Sequence, residues 1–153
     1  MKNRTGALLA AACVFTTSRG EAMQMDLSRA ELCQVADAVV LGRVSDIDTV
    51  WAATEEGGLE RRVFVDVAQT VRGAPTRSVE VVLPGGTMGE FRHWVEDVPE
   101  LAIDAHYLLL LAKTPRGWEV IGGETGALRV AVNGFQGVPV HEAFASLGGC
   151  NAR

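Results

Sequence analysis

Between Ala38 and Val132 apolar and polar residues alternate in short runs that Gly and Pro interrupt. The cleanest run is Glu60 to Arg72. Val63, Val65, Val67 and Val71 share one face, with Gln69 as its polar exception, and Arg62, Phe64, Asp66, Ala68, Thr70 and Arg72 share the other. A period of two predicts a strand with one buried face. Ala38 to Trp51 predicts a long strand before it, opening with Val39-Val40-Leu41 and continuing through Val44, Ile47 and Val50; Gly42 inside it points to a bulge or sharp bend. Thr54 to Gly58 predicts the turn between the two. Ser78 to Leu83 reads as a third strand, stopped by Pro84-Gly85-Gly86, and a fourth falls within Thr87 to Val98, carrying Phe91 and Trp94. After a loop at Pro99 to Ala105, His106 to Ala112 is the most apolar run and predicts a central strand buried on both faces. Trp118 to Ile121 and Ala127 to Val132 are two short strands separated by the glycine-rich stretch 122–126.

The ends of this region are helical in pattern. In Asp26 to Ala36, Ser28 with Glu31 three residues on forms a capping box, and Leu32, Val35 and Ala36 are expected on one face. Pro139 to Leu147 suits a closing helix with Pro in its first turn, ended by Gly148-Gly149. The order is helix, five to seven strands, helix, without repeat or linker. A single mainly β domain of sandwich or barrel type is expected.

Residues 1–22 are set apart. Lys2 and Arg4 precede a ten-residue apolar stretch, Gly6 to Phe15, and small residues lead to a cut at Ala22. That layout predicts a signal peptide and a secreted or periplasmic domain at 23–153. A buried N-terminal helix is one alternative. A lipoprotein anchored at Cys13 is another; Leu9 lies four residues before that cysteine, where a lipid-attachment site has Leu three before. Removing residues 1–22 leaves 131 of the 153 residues and moves the net charge from −5 to −7. Nearly half the chain is apolar and 22% is charged, a globular composition. No apolar run reaches the 18 or so residues of a transmembrane segment. Nor is there the basic stripe that nucleic acid requires. Two cysteines remain after the cut, Cys33 and Cys150, 117 positions apart. In an exported chain an even pair implies a disulfide, against the alternative of two buried thiols.

Candidate chemistry is sparse. His93, His106 and His141 have no second ligand at a metal-binding spacing; His141-Glu142 opens like a zinc-protease helix, but Ala145 stands where the second His belongs. Glycine pairs at 57–58 and 85–86 lack the Lys-Ser/Thr of a phosphate loop and read as turns. Acidic pairs such as Glu55-Glu56, Glu96-Asp97 and Asp46 with Asp48 suit solvated loops better than calcium. Neither a metal nor a cofactor is expected. Trp51, Phe91 and Trp94 fall near strand ends or loops, where small barrels bind partners; core packing is the alternative.

Three stretches taken together resemble a known pattern: Cys33-Gln-Val-Ala-Asp37-Ala-Val-Val-Leu-Gly42-Arg-Val44, the run Val63 to Gly73 ending in Val71-Arg72-Gly73, and Pro84-Gly85-Gly86 with Tyr107-Leu-Leu-Leu-Leu111. Across roughly residues 27–150 the chain resembles exported bacterial domains related to the tissue inhibitors of metalloproteinases, the netrin-like OB-fold group. The resemblance implies an OB-like five-stranded barrel with a short N-terminal and a C-terminal helix. It also implies a bond between Cys33 and Cys150, the places where that group carries a cysteine before its first strand and one ending its last helix. The animal inhibitors chelate a protease zinc with an N-terminal cysteine tethered through a Cys-x-Cys start. The trimmed chain here begins Met23-Gln24-Met25 and has no such start.

Three functions follow as expectations. The first is an exported, non-enzymatic module contacting a protein through Trp51, Gly85, Phe91 and Trp94. The second is a metalloprotease inhibitor acting through the trimmed N-terminus. The third is a hydrolase with a spatially assembled site, built on His93 or His106 and neighbouring carboxylates.

Overall fold

The computed structural model describes residues 27–53, 57–73, 77–132 and 136–150. The expected signal segment 1–22, Cys13 and the trimmed start at Met23 lie outside them, as do 54–56 of the expected turn.

The chain enters through helix α1, Arg29–Val35. Ser28 is its N-cap: the hydroxyl accepts from Glu31 N–H at 3.3 Å and the Glu31 carboxylate accepts from Ser28 N–H at 2.8 Å. The expected capping box is therefore present. The expected apolar face needs one correction. Leu32, Cys33 and Ala36 are buried, which centres the buried stripe away from Val35 and leaves that side chain 65% exposed.

Among the described residues nine strands follow: β1 (Ala38–Trp51), β2 (Leu59–Arg72), β3 (Ser78–Pro84), β4 (Gly86–Met88), β5 (Phe91–His93), β6 (His106–Thr114), β7 (Gly117–Val120), β8 (Ala127–Ala131) and β9 (Val138–Pro139). Helix α2, Val140–Ala145, closes the described chain. The fourth expected strand, within Thr87 to Val98, is instead the hairpin β4–β5, a separate two-stranded sheet. The other seven strands form one mixed sheet.

β1 pairs along its length with β2, and its first half also pairs with β6 on the other edge. Its register against β2 shifts at three places, one of them between Leu41 and Gly42, as the glycine suggested. β2 pairs with β3 and β6 pairs with β7, both antiparallel. β3 meets β7 in parallel through one residue pair, Val81 and Trp118. β8 continues the sheet beyond β6, and β9 lies parallel to β8. The sheet is thus not a clean five-stranded barrel: it has seven strands, and its β3–β7 seam is one pair wide.

Charged side chains reinforce that seam. Glu60 is the one buried charged residue among those described. It receives Arg62 at 3.1 Å, and Arg116, from the β6–β7 turn, stands 4.0 Å away. Arg62 also holds Glu80 of β3 at 2.8 Å, while Arg116 holds Glu119 of β7 at 2.8 Å. The acidic neighbours Glu60 and Glu80 raise the Arg62 pKa above its ordinary value.

β6 divides the interior. Tyr107, Leu109 and Leu111 enter one core with Val44, Val63, Val65, Val81 and Leu83. Leu108 and Leu110 enter a second core with Val39, Val130, α1 and the C-terminal segment. The strand is buried on both faces, as its unbroken leucines require. Each of those leucines, fully buried, contributes about 1.5–3 kcal/mol. Inside the second core Cys33 and Cys150 form a disulfide, with Cα atoms 5.9 Å apart, which excludes the free-thiol alternative. Arg72 reaches across from β2 and donates from Nη1 to the carbonyls of Cys33 and Gln34, satisfying two groups that the end of α1 leaves open.

Candidate functional site

The hairpin β4–β5 builds the site. Gly85, at φ +83°, turns the chain away from β3. Gly86 lets the hairpin approach the sheet, since a Cβ there would lie 2.9 Å from Thr49 Cγ2 and 3.2 Å from Arg61 Cγ. The two-residue loop Gly89-Glu90 starts with φ +58°, the left-handed conformation that a II′ hairpin loop needs. Leu59 ties this arrangement to β2. Its carbonyl accepts from Gly85 N–H at 2.7 Å, and its N–H donates to His93 Nδ1 at 3.2 Å. His93 Nδ1 also lies 3.3 Å from the Leu59 carbonyl oxygen.

Folding the hairpin over the end of the sheet brings Phe91 against Trp51. The ring centroids are 5.5 Å apart at an interplanar angle of 68°, an edge-to-face pair. Both rings nevertheless remain 56–63% exposed, and Trp94 is 62% exposed. The core-packing alternative for these three aromatics is overturned. The hairpin that carries Phe91 is a flap, a two-stranded sheet of its own, which no further strand among the described residues joins.

Between the flap and the sheet lies a cleft of about 420 Å³. It is lined by Pro84, Gly85, Gly86 and Thr87 and by Arg92, His93, Trp94, Val95, Asp97, Val98 and Glu100. Arg61 of β2 and Glu124, from the 3-10 turn Gly123–Gly126, complete it. Asp97 adopts φ +55°, an uncommon conformation for a residue with a Cβ, and its carboxylate packs so closely on Gly123 that a Cβ there would lie 2.2 Å from Oδ1. Of the four residues expected to contact a partner, Gly85 and Trp94 line the cleft, while Phe91 of the flap pairs with Trp51 at the end of β1, neither of them lining it.

Sequence reasoning missed Arg61. The alternation of β2 carries the signal, because position 61 continues the face of Val63 and Val65, which are 0% and 1% exposed. The charge therefore falls on the core-facing side at the strand's end, and its side chain is only 14% exposed. Its Nη1 donates to Glu100 at 3.2 Å; its Nε is buried and meets no hydrogen-bond partner among the described residues.

The histidines do not converge. His93 borders the cleft, His106 lies on β6 opposite Val130, and His141 is on α2, 3.9 Å from its neighbour Glu142. Neither Ser nor Cys lines the cleft. Among the described residues no group of three or more His, Cys, Asp or Glu side chains is placed to hold a metal ion, and no helix is long and apolar enough to cross a membrane. The disulfide belongs to the second core and takes no part in the cleft. Comparison with protein-family models, with curated proteins and with solved structures found no match to this chain.

Proposed function

We propose that the chain is an exported, non-enzymatic binding module of OB-like architecture that grips a protein with the flap end of its sheet. The observation that carries this reading is the exposure of Trp51, Phe91 and Trp94, all more than half exposed, with Trp51 and Phe91 paired edge-to-face and Trp94 lining the cleft. Exposed large aromatics grouped in this way mark interaction surfaces, where Trp and aromatic anchors supply most of the affinity. The pairing cycle β1–β2–β3–β7–β6–β1, antiparallel except at β3–β7, supports the OB-like part of the reading. Modules of that class bind ligands through the loop between their first two strands, and Trp51 stands at the entry to that loop. The disulfide agrees with an oxidising compartment.

Affinity capture from envelope extract and culture medium tests the proposal, with the exported protein as bait beside a Trp51→Ala/Phe91→Ala variant. A partner retained by the native chain and reduced at least tenfold on the variant is the expected result. Both side chains are exposed, so the variant keeps its thermal midpoint within a few degrees. Repeated capture without any partner above background overturns the reading.

A further inference from the structure

We propose that Arg61 receives one carboxylate from an acidic side chain of the bound protein segment; this names the partner chemistry of the binding module proposed above and rests on that reading. Arg61 is a charge at a core-facing strand position, 14% exposed. A guanidinium withdrawn from water needs hydrogen-bonded compensation, and this one is under-compensated. Among the described residues one of its five N–H donors is used, by Glu100, while Nε has no partner. Glu100 is a weak counter-ion, because its own side chain is 86% exposed and such pairs contribute little. A carboxylate entering the cleft can displace it and meet the planar fork of the guanidinium, which matches carboxylate geometry.

The remaining charges select the ligand. Arg92 lines the same cleft without an ion-pair partner among the described residues. Asp97, Glu100 and Glu124 line it too, so the cleft as a whole is not basic. Those three acidic residues oppose a dianion such as phosphate more strongly than a single carboxylate, which brings the smaller negative charge. The exposed rings continue beyond the cleft, with Trp94 on its wall and Phe91 one residue before Arg92. An acidic residue flanked by apolar ones in an extended segment fits both parts.

Selection from a random twelve-residue peptide library tests this, with the peptides fused at their C-termini so that side chains carry the only free carboxylates beyond the fusion. The full exported chain is the bait. Enriched peptides are expected to share Asp or Glu at a fixed position beside apolar residues. Changing that acid to its amide, or Arg61→Gln in the protein, lowers affinity at least tenfold. Glu100→Gln, at an exposed side chain that leaves the fold intact, raises affinity several-fold by removing the competitor. Enriched peptides without an acidic preference overturn the carboxylate role but leave the binding module standing. So do acidic peptides that bind Arg61→Gln as tightly as the native chain. Failure to enrich any peptide overturns the carboxylate role, and partner capture with the aromatic variant then decides the broader reading separately.

Discussion

Ser28 and Glu31 act as one unit at the start of α1, each satisfying a backbone N–H that the helix leaves open. Hydrogen bonds from the Ser28 side chain, and next from its backbone, hold the Glu31 carboxyl below the ordinary carboxylate range. A depressed folded-state pKa means that the box contributes fully above the unfolded value of about 4.3 and is lost as pH falls through the lower folded value. Ser28→Ala is therefore expected to lower stability at neutral pH by about 1 kcal/mol, and to remove the part of the acid sensitivity that Glu31 carries. Denaturant titrations of both chains, at neutral pH and below the carboxylate range, check this. An unchanged acid slope would count against the box. At this scale the sequence was readable wherever a local rule applied, as with Ser-x-x-Glu. Arg61 obeys such a rule as well, but its phase is visible only once the neighbouring valines are assigned to the core. The residues that line the cleft with Arg61 come from positions 84–87, 92–95, 97, 98, 100 and 124, and no local spacing links them.

Among the elements, β1, β2 and β3 were legible because each is long enough for a period of two to show. The hairpin β4–β5 was not, since three residues per strand give no period, and the two residues of β9 give still less. Which strands pair is a separate matter, decided by where buried faces meet. The β3–β7 seam illustrates it: one residue pair joins these strands, and the 4.0 Å contact of Arg116 with Glu60 links the Arg116–Glu119 pair of the β6–β7 hairpin to the Glu60–Arg62–Glu80 pairs of β2 and β3. Those contacts are the seam's second attachment. Glu60→Ala is expected to cost about 1–2 kcal/mol, less than the loss of a fully buried ion because both arginines keep access to water. Hydrogen exchange locates the effect. Amide protection should fall at Val81 and Trp118 and stay unchanged at Val39 and Val40, where β1 is flanked on both sides. Uniform loss across the sheet would show that the charges stabilise the fold without a special bearing on the seam.

At the level of the whole molecule the Cys33–Cys150 bond joins α1 to the chain end across 117 residues. A loop of that length corresponds to about 4–5 kcal/mol in the chain-entropy model, a large part of the roughly 5–15 kcal/mol typical of such a domain. Reduction, or Cys33→Ala with Cys150→Ala, should lower the unfolding free energy by an amount in that range, read as a fall in the denaturant midpoint; intact mass confirms the state of the bond. A midpoint unchanged by reductant would remove the bond from the account of stability. The pair was legible from cysteine number and from resemblance, whereas the cleft exists only after distant segments assemble. The leucines of β6 carry a further consequence. Leu108 to Leu111 are chemically identical and are buried on both sides of the sheet, so moving the strand by one residue would exchange the two cores with almost no change in hydrophobicity. Alternation cannot choose between such alignments. The choice falls to polar pins at either end of the run. Tyr107 hydroxyl accepts from Ala102 N–H at 3.1 Å and donates to the Glu100 carbonyl, and the Asp37 carboxylate accepts from Lys113 N–H at 2.8 Å. These few contacts are small in energy, but they decide which leucine goes where, and so which of two near-degenerate alignments becomes the native one.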